Sequence, residues 1–272
     1  MGYTISAINR ILKDKEIFKG KKVITLGTLY PFLTDNEYSQ IEQYGINKNI
    51  SKEQFSKHLF VEILGAECCH SLDVSDYQQA EIICNLNHPI EDNLKYQYDI
   101  LIDAGTLEHL SNLSVALKNL FDLLVDDGIY YFGTVCNNWV DHGFFQFSPT
   151  FFIDLCIENK NLELSELHLF TFKKTYYLDN LKPAFKVALF TSRERLGVGG
   201  IIKKKTNSLD LNLMQSKYRD LYKNENVVEN SNLSKQSKLR VLASLVVQKF
   251  SRCSFISLDI KEIVLNLLYK LK

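Results

Sequence analysis

The sequence predicts an α/β fold in which a mostly parallel sheet is flanked by helices. Residues 100–102 form an apolar run without alternation, which is typical of a strand covered on both faces. A helical pattern follows over residues 113–124, and β-branched and aromatic residues at 129–135 indicate the next strand. Strand, helix and strand joined by short connections form a βαβ unit, whose crossover is almost always right-handed.

Three shorter segments before this unit also have the character of strands. Residues 23–27 are apolar and end in Gly27, residues 67–73 end in Asp73, and residues 81–84 lead into Asn85. Gly27 could equally be a structural turn, and Asp73 could merely cap the next turn. The apolar spacing of residues 3–18 predicts a helix beside the sheet.

Two loops dense in polar and aromatic residues follow the strands of the βαβ unit. Open α/β sheets bind their ligands at the carboxyl ends of the strands, so these loops hold the candidate site residues. The first loop contributes Asp103, Gly105, Glu108 and His109, and the second contributes Asn137, Asn138, Asp141, His142, Phe145 and Gln146.

The remainder of the chain predicts closing strands and an appendage. Residues 162–172 and 184–191 have strand character, and the glycine-rich segment after residue 192 is expected to be irregular. We therefore expect an α/β domain over residues 1–195, a flexible polar linker over 196–230 and an amphipathic helical tail over 231–272. The tail carries eight lysines and arginines against two acids, so it could contact an anionic membrane surface or a partner protein. It could equally pack on its own domain.

Composition narrows the function classes. The 272-residue chain has 32 basic and 32 acidic residues, so no global charge recruits nucleic acid. Its six cysteines show no CxxC pair and no zinc-ligand spacing, which favours buried free thiols in a reducing compartment. The first residues lack an apolar signal core, and no run is long enough for a spanning helix. We expect a cytoplasmic protein, with contact to the inner face of the membrane through the tail as a further option.

Residues 98–135, with the LEHL motif at 107–110 and Asp-Gly at 127–128, resemble the later half of class I S-adenosylmethionine-dependent methyltransferases. The segment HGFFQFSPTFF at residues 142–152 resembles bacterial methyltransferase-like proteins linked to surface-polysaccharide and glycan biosynthesis. The resemblance extends over residues 21–190. It implies a Rossmann-like sheet of seven strands, mostly parallel and ending in an antiparallel hairpin. It also implies S-adenosylmethionine as the cofactor and a sugar or glycan-linked acceptor.

The resemblance also implies roles for particular residues. Gly27 would lie against the methionine part of the cofactor, Asp73 would accept hydrogen bonds from the ribose hydroxyls, and Asn85 would contact the adenine. Asp76 is the second candidate for the ribose contact. We expect Gly27, Asp73 and Asp103 to gather around one hollow. The remaining cofactor contacts implied are Gly105 and His109.

Methyl transfer to a hydroxyl requires alignment of donor and acceptor and removal of a proton. His142 is the expected base, with Asp141 as its orienting partner and Glu108 as a second candidate. Phe145 could stack on a sugar face. The acceptor hydroxyls would bind to the side-chain amides of Asn137, Asn138 and Gln146. The histidines and acids lack paired ligand spacing, so no metal site is expected.

A second hypothesis is a catalytically inactive methyltransferase-like protein that binds a glycan or a partner protein. It is favoured by the absence of a second glycine after Gly27 and by an amide at Asn85, where the family usually has an aspartate. A nucleotide-dependent oxidoreductase would need a GxGxxG turn after the first strand, which the sequence lacks.

Overall fold

The computed structural model describes residues 2–172, 174–178, 194–206 and 211–213. Their main feature is one mixed sheet with the strand order β3-β2-β1-β4-β5-β8-β6-β7. The strands are β1 Lys22–Leu26, β2 Cys68–Asp73, β3 Ile82–Ile83, β4 Tyr98–Ala104, β5 Leu124–Asn137, β6 Leu162–Phe170, β7 Thr175–Tyr177 and β8 Leu196–Lys204. The five strands from β3 to β5 pair in parallel, and β8, β6 and β7 pair antiparallel. The predicted α/β class with a mostly parallel sheet is confirmed, with β7 as a short additional edge strand.

Helices flank this sheet. They are α1 Ile5–Lys13, α2 Lys15–Phe18, α3 Asp35–Ile41, α4 Phe55–Lys57, α5 Leu113–Leu123 and α6 Pro149–Glu158, with α4 continuing into a π-helix over His58–Ile63. Short 3₁₀ turns occupy Glu42–Tyr44, Asp92–Leu94 and Leu107–His109. Thr34 and Glu37 form a capping box at α3, and Ser148 caps α6 ahead of Pro149. These local signals set where the helices begin.

The N-terminal helices and the π-helix pack against β1 and β4 in one apolar cluster. The ring of Phe18 lies 5.2 Å from that of Phe60 and 5.6 Å from that of Tyr131 on β5. The cluster also includes Tyr3, Ile8, Ile11, Val23, Leu29, Ile41, Phe55, Leu59, Ile100 and Ile102. Burial of such side chains is the main stabilising contribution to the fold. It also holds α1 against the sheet, because Ile8 and Ile11 belong to this cluster.

Strand β8 corrects the expectation of a linker that begins at residue 196. The segment pairs with β5 on one side and β6 on the other, so it belongs to the interior of the sheet. Its glycines lower β-propensity, but a side chain at Gly197 would overlap the ring of Phe170 and one at Gly199 would lie 2.7 Å from His168 Nε2. Glycine here permits close approach of a neighbouring strand. The predicted irregular segment is therefore a strand.

The predicted strand over residues 184–191 and the helical tail over 231–272 lie outside the described residues. Within the described part of the chain, no helix combines the length and apolar character needed to cross a membrane.

Candidate functional site

From β1 the chain continues to one side of the sheet, through β2 and β3, and then returns to place β4 and β5 on the other side. The boundary between β1 and β4 is therefore a topological switch point, which is where open α/β sheets bind ligands. Each strand ends there in a glycine with positive φ, +78° at Gly27 and +101° at Gly105. Side chains are disfavoured in that region, so both turns depend on glycine. The hydroxyl of Thr106 donates to Leu26 O at 3.0 Å and joins the two turns.

The remaining residues implied for cofactor binding lie along the same edge. Leu26 is opposite Leu72, and Asp73 is opposite Ile83, so the ends of β1, β2 and β3 are side by side. Asp73 Oδ1 accepts from Val74 N at 2.6 Å, and Asn85 Oδ1 accepts from Asn87 N at 3.0 Å. The sheet thus arranges a glycine turn, a carboxylate and an amide in sequence along its carboxyl edge.

Asp103 has a different environment from these residues. It is 2% exposed, and its Oδ1 accepts from Gly105 N at 3.2 Å and Thr106 N at 2.7 Å. Its Oδ2 accepts from the hydroxyl of Tyr130 at 3.0 Å. Burial, and then the nearby charge of Glu108, raise its pKa from 3.8 to about 7 against the effect of these hydrogen bonds. Asp103 therefore fixes the loop after β4.

The raised pKa of Asp103 predicts a pH-dependent stability. Between pH 4 and 7 the unfolded chain holds fewer protons at this group than the folded one, so ionisation costs stability as the pH rises. Asparagine does not ionise, so Asp103→Asn escapes this loss. As the pH rises through this window, we expect the free energy of unfolding of the variant to increase relative to that of the wild type by up to about 4 kcal/mol. Urea unfolding of both proteins at pH 4.5 and 7.5 measures the difference. A difference that does not change with pH would contradict the assignment.

A cavity of about 400 Å³ lies beside this edge, above β4, β5, β6 and β8. Asp103 lines it, but Gly27 and Asp73 do not, so the expectation that these three residues surround one hollow is wrong for this cavity. The cavity lies toward the antiparallel half of the sheet. Its wall also includes Tyr3, Ser6, Phe32, Tyr131, Thr134, Trp139, Phe170, Thr175 and Tyr177.

Three charged or titratable residues that the sequence did not predict as site residues line the cavity, namely Arg10, Glu166 and His168. Arg10 Nε donates to Glu166 at 2.9 and 3.2 Å, and His168 Nδ1 lies 3.2 Å from the same carboxylate. Burial raises the pKa of Glu166, but the contacts of its carboxylate with His168 and Arg10 outweigh this effect and lower the pKa to about 2. The spacing of 156 residues between Arg10 and Glu166 gives no local sequence signal for this pair.

Glu108 and His142 also line the cavity and face each other. Glu108 is buried, and its Oε2 accepts from the hydroxyl of Thr134 at 2.7 Å. Its Oε1 lies 3.7 Å from His142 Nε2, and the His142 side chain is 41% exposed. Burial is the main reason that the pKa of Glu108 is raised. A carboxylate next to an accessible imidazole can stabilise the protonated ring.

The structure pairs His142 with Glu108 and leaves the predicted partner Asp141 at an exposed position with φ +65°. His109 adds a second imidazole, with its ring centroid 5.0 Å from that of His142. Burial, and then His142, lower the pKa of His109. Ligand atoms of Glu108, His109 and His142 lie within 4.8 Å of one another, a convergence that the spacing of these residues along the sequence does not reveal.

The loop after β5 reaches the cavity through residues other than those predicted to bind the acceptor. Trp139 and His142 line the cavity. The four predicted acceptor-binding residues are absent from its lining, namely Asn137, Asn138, Phe145 and Gln146. Asn138 Nδ2 donates to Glu194 O at 2.9 Å and Gln146 Oε1 accepts from Trp139 N at 3.2 Å. Asn137 is exposed, and the ring of Phe145 packs against that of Phe147 in a tilted arrangement, with 6.0 Å between the ring centroids. In this structure these amides shape the loop.

No family model and no curated protein matches the chain. Similar solved structures include a SAM-dependent methyltransferase from Aquifex aeolicus, at 12% identity and TM-score 0.40 over 71% of this chain and 88% of that one. They also include the branched-chain polyamine synthase of Thermus thermophilus, at 12% identity and TM-score 0.43, where the match covers 79% of this chain and 60% of that one. The 1,6-didemethyltoxoflavin-N1-methyltransferase of Burkholderia thailandensis matches at 12% identity and TM-score 0.34 over 74% and 78%. Likeness this weak does not decide function, which rests on the site.

Proposed function

We propose that this protein is an S-adenosylmethionine-dependent methyltransferase that modifies a hydroxyl of a sugar or glycan-linked acceptor. The observation that supports it most is the arrangement of the sheet. A parallel half with its switch point between β1 and β4 is followed by antiparallel strands at the end of the sheet, and the resemblance to class I methyltransferases implies a parallel sheet that ends in an antiparallel hairpin. The absence of a GxGxxG turn after β1 argues against a dinucleotide oxidoreductase.

The residues at the carboxyl edge fit the proposed cofactor in chemistry. A glycine turn at Gly27 lets the backbone approach a ligand, and a carboxylate such as Asp73 can accept from two neighbouring ribose hydroxyls. Asn85 offers an amide to a base edge. Bound S-adenosylmethionine would supply an electrophilic methyl group, and the chain would supply position and proton removal.

The cavity supports a small acceptor bound next to this edge. Its volume of about 400 Å³ lies within the range of small-molecule pockets. Aromatic rings on its wall, such as Trp139 and Tyr131, can pack on the apolar face of a sugar, while Arg10 and Glu166 offer hydrogen-bonding groups for hydroxyls. The sequence of residues 142–152 is the reason for choosing a glycan-linked acceptor among small molecules.

His142 is the proposed base. Its imidazole would take the proton that the acceptor hydroxyl releases, and the carboxylate of Glu108 at 3.7 Å would stabilise the resulting cation. His142 lies on the cavity wall with part of its ring exposed, so the proton can pass on to solvent. Glu108 thereby takes the orienting role that the sequence suggested for Asp141.

Binding of S-adenosylmethionine tests the proposal, and we expect Asp73→Ala to weaken it by about 10- to 100-fold. The loss of two charge-assisted hydrogen bonds is the physical reason. Isothermal titration of the wild type and the variant gives both dissociation constants. Asp76→Ala is measured beside it, because Asp76 is an exposed acid on the same loop and the second candidate for the ribose contact. It should leave the dissociation constant unchanged if Asp73 makes this contact. If the wild type does not bind S-adenosylmethionine, the proposal that the protein is a methyltransferase is refuted.

A non-catalytic protein is the second candidate, and one observation favours it. The cavity of about 400 Å³ is not lined by Gly27 or Asp73, and Thr28 Oγ1 donates to Gln78 O at 2.9 Å across the turn after β1. A chain that kept the sheet and lost the cofactor could still bind a glycan in this cavity. Glycan binding by a protein that does not bind S-adenosylmethionine would support this candidate.

A further inference from the structure

We propose that Glu108, His109 and His142 bind one divalent transition-metal ion at the rim of the cavity. The three residues lie on two loops, since Glu108 and His109 belong to the turn after β4 and His142 follows β5. Their ligand atoms lie within 4.8 Å of one another. Two imidazoles and one carboxylate form the ligand set of many catalytic zinc sites, in which a fourth position stays open.

The distance between Glu108 and His142 is close to that of neighbouring ligands in a metal site, and the ligand atom of His109 lies within 4.8 Å of both. Metal–nitrogen and metal–oxygen bonds of about 2.0–2.2 Å place neighbouring ligand atoms about 3–3.5 Å apart. Glu108 Oε1 and His142 Nε2 are 3.7 Å apart, so a small side-chain rotation brings them into range. His109 and His142 are partly or largely accessible, which leaves their rings free to make this adjustment.

Surrounding contacts hold the carboxylate and the second loop in place. Thr134 Oγ1 donates to Glu108 Oε2 at 2.7 Å, which leaves Oε1 directed toward His142. Phe144 N donates to Glu108 O at 2.7 Å and ties the loop of His142 to the loop of Glu108. Gly143 has φ +71°, and a side chain there would lie 2.8 Å from Glu108 O. Such outer contacts orient the ligands of metal sites.

The charge and burial of the site agree with a cation. The Glu108 carboxylate is 1% exposed, and a buried carboxylate is costly unless a positive group or a metal accompanies it. Mixed nitrogen and oxygen ligands favour zinc, cobalt, manganese or iron over calcium and magnesium, which prefer oxygen alone. Glu108 and His142 line the cavity whereas His109 does not, so an ion held by the three residues would lie at the rim of the cavity.

A bound ion would make a hydroxyl at the rim of the cavity more acidic. A water molecule would complete its shell, and under the proposed function an acceptor hydroxyl could replace this water. A metal-bound hydroxyl loses its proton more easily, and here the proton would leave to solvent. His142 binds either a proton or the ion at the same nitrogen, so in the metal-bound state it acts as a ligand. This last step rests on the proposed function, whereas metal binding itself does not.

Titration of tag-free protein with Co²⁺, followed by visible absorbance, tests the site without cofactor or acceptor. We expect one ion per chain, displacement by Zn²⁺ and no displacement by an equal concentration of Mg²⁺. His109→Ala and His142→Ala should each weaken Co²⁺ binding by about 100-fold or more. Thr134→Val should weaken it by about 10- to 100-fold, because it removes the hydrogen bond that orients the Glu108 carboxylate. Circular dichroism checks that each variant is folded.

His58→Ala is the matched control, because His58 lies 2.7 Å from Glu62 in a surface pair of the same residue types. It should leave the affinity for Co²⁺ unchanged. Absence of a stoichiometric Co²⁺ complex, or a complex that survives in folded His109→Ala and His142→Ala, would overturn the proposal. Titration with S-adenosylmethionine is measured separately, so failure of the metal site and failure of the proposed cofactor are distinguishable.

Discussion

Lys204→Ala is expected to lower the free energy of unfolding by about 2–5 kcal/mol, the cost of truncating a long buried side chain. The Lys204 side chain is fully buried, and its Nζ donates to Phe121 O at 2.7 Å and Leu124 O at 2.6 Å. These carbonyls lie at the end of α5, where the last carbonyl groups have no partner inside the helix. The ammonium also lies 4.6 Å from the ring of Tyr96. The alanine variant would remove one hydrogen bond from each of these two carbonyls and leave a void beside them.

The neighbouring lysine provides the control. Lys203 pairs with Asp127 at 2.9 Å, but both side chains are largely exposed. Surface pairs contribute little, so Lys203→Ala should change stability by less than about 1 kcal/mol. Lys204→Met, which keeps the volume and loses only the hydrogen bonds, should lie between the two. Urea unfolding followed by circular dichroism measures all three, and equal effects of the two alanine variants would contradict the burial of Lys204.

Glu108→Gln is expected to reduce methyl transfer by about 100-fold, within the range that general acid–base catalysis contributes. The amide keeps the shape of the carboxylate and can still accept from Thr134, but it cannot stabilise a protonated His142. Loss of the negative charge would also weaken metal binding. Transfer of labelled methyl groups from S-adenosylmethionine to a glycan extract of the source cells provides the measurement.

Asp141→Asn is the matched control for this prediction. The residue is exposed, and the carboxylate facing His142 belongs to Glu108. We therefore expect Asp141→Asn to retain activity within about twofold of the wild type, as for surface substitutions that remove no contact. Full activity of Glu108→Gln together with a large loss in Asp141→Asn would show that the pair was assigned to the wrong acid. Circular dichroism separates a catalytic loss from misfolding in the buried variant.

The parallel half of the sheet could be predicted because its signals are local. Strands buried on both faces need uninterrupted apolar residues, and residues 100–102 have them. The positive φ of Gly27 agrees with the glycine turn expected after β1. Strand β8 could not be predicted, because its glycines have low intrinsic β-propensity and only the bulk of Phe170 and His168 on the next strand explains them.

The partners of the site residues could not be predicted for a related reason. Asp103 was recognised as the acid that ends β4, but its role is set by the hydroxyl of Tyr130, 27 residues further on. Asp141 is the acid nearest to His142 in sequence, yet Glu108 is the acid that faces it in space. Pairs such as Arg10 and Glu166 depend entirely on which elements the fold brings together.

By itself the sequence determined the class of the fold, the strands that form its parallel half and the loops that hold the candidate site. Periodicity and turn residues act over a few positions, so they can specify an element and the residues at its end. The tertiary structure alone decided that residues 196–204 enter the sheet, that Lys204 is buried, and that Glu108, His109 and His142 converge. Those outcomes depend on contacts between distant segments, because burial and side-chain pairing are properties of the packed chain.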